Sequence, residues 1–256
     1  MESFSRLETL MAILRDPQKG CPWDQAQTAS SLREFILEEA YELLGAIEEN
    51  DPSRIRDELG DLLLQVVFIA QIEKEKGTFS LEDVVNGLIE KIIQRHPHVF
   101  ANGTVNNATE VKINWERIKN QDKSRTSLLS SYPEAMPALL TAQRISSQAA
   151  AVGFDWQEAA KALEKVEEEI QELKTALQSA GQEELHEEIG DLFFALANVS
   201  RLLKLNPELA LRAANKKFSR RFHYLEGKLA QKGLKMETVP LDRLEELWKE
   251  AKEKGL

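Results

Sequence analysis

Apolar residues recur every three to four positions along most of this chain, the spacing of helices that bury one face. Phe4 to Leu14 carries it first, and Asp16-Pro17-Gln18-Lys19-Gly20 breaks it into a loop that continues through Pro22-Trp23-Asp24. From about Ser31 to Glu49, Leu32, Phe35, Ile36, Leu43 and Ala46 form a stripe. Asp51-Pro52 reads as an N-cap with a first-turn proline, opening a helix that extends to about Lys76 and stops at Gly77. Ser80-Leu81-Glu82-Asp83 resembles a capping box, and its helix reaches Arg95 before Pro97. A short helix from about Thr109 to Lys119 carries Trp115.

The pattern resumes near Pro133. Leu139, Ala142, Ile145, Ala149 and Val152 make a stripe that ends at Gly153. A helical hairpin follows from about Trp156 to Leu205, turning at Ser179-Ala180-Gly181-Gln182, where Gly181 suits a left-handed C-cap. Asn206-Pro207 repeats the N-cap and proline signal for a helix to about Lys232, before Gly233, and a last helix after Pro240 contains Trp248. Between the two stretches, Asn120 to Ser131 is charged and has no apolar period. The expected organisation is all-α, with one domain over 1–120, a linker over 121–132 and a second domain over 133–256.

The polar positions of the second hairpin carry chemistry. Glu169 and Glu172 share one helical face and Glu188 and Asp191 share another, because residues three apart lie together on a helix. Two antiparallel helices would bring the four carboxylates to one place. Glutamate pairs on helices are usually solvated, but here the first face continues through Val166, Leu173 and Ala176 and the second through Leu192 and Ala195. Carboxylates among core residues repel one another unless a cation joins them, and oxygen ligands suit Mg²⁺, or Mn²⁺, better than zinc. Gly190, in mid-helix, costs roughly 1 kcal/mol against alanine, which a close approach by another backbone or a ligand would explain.

The chain states this arrangement twice. Nineteen residues separate Glu39 from Glu58 and Glu169 from Glu188, and the same interval links Glu42 to Asp61 and Glu172 to Asp191. Gly20-Cys21-Pro22-Trp23-Asp24 precedes the first set and Gly153-Phe154-Asp155-Trp156 the second. Lys91-Ile92-Ile93-Gln94-Arg95 follows the first and Lys217-Phe218-Ser219-Arg220-Arg221 the second, and each copy ends with a tryptophan and a lysine four residues on, Trp115 with Lys119 and Trp248 with Lys252. So many features in one order indicate an internal duplication.

Composition narrows the field. The chain has 256 residues and a formal net charge of −10, which disfavours nucleic acid as a general partner. Its single cysteine excludes an internal disulfide and fits a reducing compartment, and Cys21, beside Pro22, reads as a packing residue. No signal peptide is visible and no apolar run approaches the roughly 20 residues that span a bilayer, so the expectation is a soluble cytoplasmic protein. His96-Pro97-His98 reads as a turn, since the proline forbids helical ligand spacing.

The combination of Glu169, Glu172, Glu188 and Asp191 with the Lys217–Arg221 run and Trp248 resembles the MazG nucleoside triphosphate pyrophosphohydrolases, in their two-domain form and over nearly the whole chain. The resemblance implies the four-helix core of the all-α NTP pyrophosphatases. It also implies Mg²⁺-dependent hydrolysis of a nucleoside triphosphate to monophosphate and pyrophosphate, several ribo- and deoxynucleotide substrates, clearance of aberrant nucleotides, and a homodimer. The chemistry of the residues agrees. Glu169, Glu172, Glu188 and Asp191 would hold the metal, Glu168 or one of these ligands would serve as base, and Lys217, Arg220 and Arg221 would hold the outer phosphates. Lys165, one turn before Glu169, would reach a phosphate, and Trp248 would stack on the base. Glu39, Glu42, Glu58 and Asp61 would form the equivalent metal set of the first half.

One other class stays open at this point, a regulatory dimer that binds metal or nucleotide with little turnover. A di-iron bundle is discounted: it wants two Glu-x-x-His motifs where this chain has one, Glu183 to His186, and His186 points roughly opposite Glu188 on the same helix. The halves also differ: Phe35 and Gln94 stand where the second half has Lys165 and Arg220, and His96, largely neutral at pH 7, follows Arg95. The second half is therefore expected to carry most of the activity.

Overall fold

The computed structural model describes residues 2–105, 107, 110, 111, 114, 115, 118, 129, 133, 135–179 and 181–256. Every regular element among them is helical: α1 (Glu2–Leu14), α2 (Pro22–Ala26), α3 (Arg33–Glu49), α4 (Pro52–Glu75), α5 (Leu81–Arg95), α6 (Pro97–Phe100), α7 (Ala138–Ala150), α8 (Ala159–Ser179), α9 (Gln182–Leu202), α10 (Pro207–Ala230) and α11 (Leu241–Glu253), with one 3₁₀ turn at Met236–Thr238. Contacts gather into two units, Met1–Lys119 and Asn120–Leu256. Most of the linker expected over 121–132 and most of the helix expected over 109–119 fall outside the described residues.

The first unit is built on the α3–α4 hairpin. Asn50 takes the left-handed conformation (φ 53°), and its N–H closes α3 on the carbonyls of Ala46 and Ile47. The Asp51 carboxylate then accepts from the N–H groups of Ser53 and Arg54 at 3.0 and 3.3 Å, as an N-cap before Pro52 should. Met11 of α1, Leu32, Leu81 of α5, and Val67, Phe68, Ala70 and Ile72 of α4 form the core. Fully burying an aliphatic side chain such as Leu32 stabilises by about 1.5–3 kcal/mol. The Ser80 capping box is present: Asp83 N–H donates to Ser80 Oγ (3.3 Å) and Ser80 N–H to the Asp83 carboxylate (2.8 Å).

The second unit repeats the hairpin as α8–α9, with α7 packed on α9 and α10. Ala162, Val166, Ala195 and Val199 lie between its helices. A separate cluster of Leu225, Leu229, Leu247 and Ala251 joins α10 to α11.

Local chemistry moves several expected boundaries. Pro22-Trp23-Asp24 begins a short helix rather than continuing a loop, with Pro22 at the first turn. Helix α3 starts at Arg33, because Thr28 and Ser31 exchange side-chain hydrogen bonds with each other's N–H groups (3.0 and 3.1 Å) and hold the chain in a turn. Gly181 has φ −78° and serves as the N-cap of α9, so it is not a left-handed C-cap. Gly77, Gly153 and Gly233, where helices were expected to stop, do have positive φ. The expected close approach at Gly190 is not made among the described residues. Apart from its own helix backbone, no described atom lies within 4 Å of where its Cβ would sit, and the residue borders an apolar groove of about 580 Å³ lined by Phe193, Phe194 and Leu211 among others.

Candidate metal centres

In the first unit, Glu39 on α3 and Glu58 and Asp61 on α4 each place a carboxylate oxygen within 4.8 Å of the other two. Glu42, one turn after Glu39, lies close enough to Glu58 to raise its carboxyl above the ordinary range. In the second unit, Glu169 and Glu172 on α8 and Glu188 on α9 form the matching group, again within 4.8 Å, and Asp191 faces Glu188 closely enough to repel it. Each hairpin thus gathers three of its four carboxylates tightly and keeps the fourth as a neighbour. Glu169 is the one deeply buried member, at 5 % exposure, while Glu39, Glu58 and Glu188 are half-buried and Glu42, Asp61, Glu172 and Asp191 are exposed. The acids therefore line one edge of each hairpin rather than all pointing into a bundle.

The electrostatics record the crowding. Burial, then repulsion by Asp61 and Glu42, holds the Glu39 carboxyl above the ordinary range. Glu58 is raised by burial and by Glu42, against the lowering effect of Arg54 at 3.8 Å. Glu188 is raised by burial, Glu169 and Asp191. Glu172 is raised by burial and by Glu169, against the pull of Lys165. Carboxylates that resist ionising are short of cations. An octahedral Mg²⁺ with ligands at about 2.1 Å spaces its oxygens about 3–4 Å apart. These hard oxygen sets fit such an ion with small side-chain adjustment, whereas no histidine joins either group among the described residues. His186, of the di-iron alternative, is exposed.

The two centres differ in resident cation. Lys165 Nζ lies 2.8 Å from both Glu168 and Glu169, and these contacts raise its pKa. Lys165 thus neutralises the second cluster, and Glu168, the candidate base, is exposed and tied to the same ammonium. The equivalent Phe35 instead packs its ring edge-on against Trp23 at 5.8 Å. The Arg54 contact at the first cluster went unread in the sequence, although its spacing of four from Glu58 was the available signal.

The phosphate-side candidates form a second group. Lys217 and Arg220 are exposed on α10. Arg221 Nε donates to the Leu256 carbonyl (2.7 Å), and its guanidinium lies 5.7 Å from the Trp248 ring centre. Phe218 covers Trp248 at 5.0 Å, so the indole is half-buried in the α10–α11 cluster rather than open on both faces. The first half repeats the motif, with Arg95 over Trp115 at 5.0 Å and His96 beside it at 5.1 Å. His96 and His98 lie 5.5 Å apart, and His96 Nδ1 donates to the Ile92 carbonyl at 2.7 Å, consistent with a hydrogen-bonding role.

A family model described as the MazG nucleotide pyrophosphohydrolase domain matches residues 27–100 and again residues 157–225, and each segment contains one carboxylate cluster. The chain belongs to the MazG family. It is 44 % identical to the nucleoside triphosphate pyrophosphohydrolase of Escherichia coli K12 over 98 % of both chains. It is also 44 % identical to the nucleoside triphosphate pyrophosphohydrolase/pyrophosphatase MazG of Thermotoga maritima, over 97 % of this chain and 95 % of that one. A solved mazG-related protein from Thermotoga maritima aligns with 46 % of this chain and 99 % of its own, at 24 % identity and a TM-score of 0.38. The repeat read from the carboxylate spacing is therefore a repeat of MazG family segments.

Proposed function

We propose that this MazG family member is a Mg²⁺-dependent nucleoside triphosphate pyrophosphohydrolase, an acid-anhydride hydrolase that converts ribo- and deoxynucleoside triphosphates to monophosphates and pyrophosphate. Full-length relatives carrying that description support the hydrolase class. The observation that carries the metal reading is the pair of crowded carboxylate clusters, each with its oxygens within 4.8 Å.

Glu169, Glu172, Glu188 and Asp191 would hold the metal in the second unit and Glu39, Glu42, Glu58 and Asp61 in the first, with Mn²⁺ an alternative occupant. Bound there, the ion would stabilise charge on phosphoryl oxygens and lower the pKa of a coordinated water. The chain's own residues then position the substrate. Lys217 and Arg220 offer exposed cations to the outer phosphates, and Arg221 is held in place by Leu256 and Trp248. The Lys165 ammonium would turn from the carboxylates to a phosphate once another cation compensates Glu169. That turn frees the Glu168 carboxylate to take the proton of the attacking water. Trp248 would stack on the base where Phe218 now covers it, and stacking, which every base permits, suits broad specificity and a role in clearing aberrant nucleotides.

We also assign a homodimer and a cytoplasmic setting. Val85, Leu88, Ile89 and Ile92 of α5 are exposed in the first unit, and Phe193 and Phe194 of α9 are exposed in the second; each unit by itself thus presents an apolar face suited to a second copy. Cys21 is a free thiol, and among the described residues no helix is long and apolar enough to cross a membrane. The deciding measurement is pyrophosphate release from ATP with and without Mg²⁺. A regulatory binder would release none, and stoichiometric iron in the purified protein would revive the di-iron alternative.

A further inference from the structure

Helix α11 lies on α10 through a narrow apolar seam, with Leu225 and Leu229 on one side and Leu247 and Ala251 on the other, all buried. Apolar attraction has no direction, so this seam alone leaves the rotation and slide of α11 loosely set. A polar network beside it supplies direction. The Tyr224 hydroxyl donates to Glu250 Oε1 at 2.5 Å. Lys254 Nζ donates to the Tyr224 oxygen at 2.5 Å and lies 2.9 Å from the same carboxylate, with Lys228 Nζ at 3.7 Å. The two ammonium groups also face the tyrosine ring, Lys254 at 4.7 Å and Lys228 at 5.3 Å from its centre. The Tyr224 hydroxyl, then Lys254, holds the Glu250 carboxyl down at about 2, and the same partners raise Lys254, so the network keeps its charges at neutral pH.

The network stands beside the nucleotide candidates without containing one. On α10, Tyr224 follows Arg221 by three residues and shares its face. On the other side, Glu250 and Lys254 lie between Trp248 and Leu256 in the chain. Arg221 touches both of those flanking residues: its Nε donates to the Leu256 carbonyl at 2.7 Å, and its guanidinium lies 5.7 Å from the Trp248 ring centre. An arginine anchored through Nε still presents its terminal nitrogens as a pair to phosphate oxygens. The first half differs in sequence here. With Lys91–Arg95 set on Lys217–Arg221 and Trp115 on Trp248, His98 and Arg117 stand in the places of Tyr224 and Glu250. The tyrosine–carboxylate pair therefore belongs to the second unit.

We propose that Tyr224, acting through Glu250, is a positioning residue for nucleotide binding in the second unit: it fixes α11 on α10 at the register that sets Trp248 for the base and Arg221 for the phosphates. The proposal rests on the reading of Arg221 and Trp248 as nucleotide ligands. A hydrogen bond to a charged acceptor is directional and strong, which is what a helix held by a leucine–alanine seam needs. Displacements of about 1 Å at substrate-holding groups are enough to matter. Base and outer phosphates are held alike before and during the reaction, so the loss falls on KM rather than on kcat.

The test uses the full chain carrying Glu42→Gln, which disables the first carboxylate set, and initial rates of pyrophosphate release from ATP in saturating Mg²⁺. Tyr224→Phe keeps the ring that the ammonium groups face and removes only the hydroxyl. It should raise KM about ten-fold and change kcat by less than about two-fold. Glu250→Ala, which removes the acceptor, should do the same and carries the comparison if Tyr224→Phe does not fold. In a Trp248→Ala background, which itself raises KM, adding Tyr224→Phe should raise KM further by less than about three-fold, because a residue that acts through another is coupled to it. A merely structural role would lower Tm and leave KM unmoved. An unchanged KM in either folded variant, or the full ten-fold effect in the Trp248→Ala background, overturns the positioning role and leaves the nucleotide reading standing. An unchanged KM in Trp248→Ala, or no turnover in the Glu42→Gln chain, overturns the nucleotide reading of the second unit and the proposal with it.

Discussion

Replacing Lys165 by methionine isolates the resident cation of the second centre. The side chains are of similar length, so the change removes charge with little loss of volume. Lys165 Nζ contacts Glu168 and Glu169 at 2.8 Å each, and Glu169 is almost wholly buried. Removing one partner of a buried pair costs about 3–5 kcal/mol, whereas exposed pairs contribute about 0.2–1 kcal/mol. The Lys165 side chain is 36 % exposed, so solvent screens the pair and the expected loss is about 1–2 kcal/mol without divalent metal. In a unit of this size that lowers Tm by about 4–8 °C. Saturating Mg²⁺ should recover more than half of the loss, because the ion compensates the Glu169 charge in place of the ammonium. Thermal unfolding followed by circular dichroism, in EDTA and in Mg²⁺, reads both values. Phe35→Met is the control: it removes packing against Trp23, and its cost should be the same in both buffers. A Lys165→Met loss that is equal with and without Mg²⁺, or absent in EDTA, refutes the claim that Lys165 serves as the cluster's counter-ion.

The halves should contribute unequally to turnover: Glu172→Gln should remove most ATP hydrolysis and Glu42→Gln little, and the reverse result would sink the asymmetry. In ¹⁸O-labelled water, attack at the α-phosphorus puts the label in the monophosphate; label found only in pyrophosphate would require a different phosphate pose. Stability without metal should fall as pH rises above 4.5. Glu39, Glu58, Glu172 and Glu188 hold protons more tightly folded than unfolded, so the stability they add is present below 4.5 and lost through their raised values. Glu73, Glu75 and Glu250, held low by Lys76, Arg15 and Tyr224, act in the opposite sense, but below 4.5. Added Mg²⁺ should flatten the slope above 4.5, and a Tm in EDTA that does not change there contradicts the crowding.

Much of this protein was legible in its sequence because the signals are local. Asp51, Ser80 and Asn206 cap their helices as their positions require, since a cap needs only the first turn that follows it. The helical period alone put Glu169 with Glu172 and Glu188 with Asp191, and the nineteen-residue interval exposed the duplication before any contact was known. What the interval left open was the register and depth of one helix against the other. That depends on which residues interleave between helices, such as Leu32 in the first hairpin and Ala162 opposite Ala195 in the second. Only that packing decided that three carboxylates of each four converge, that Glu169 alone is deeply buried, and that Lys165 is held by the acids rather than free for a phosphate. It also set the cover over Trp248. Burial and the identity of a polar group's partner are properties of surfaces meeting across the fold, and residues distant in sequence determine them.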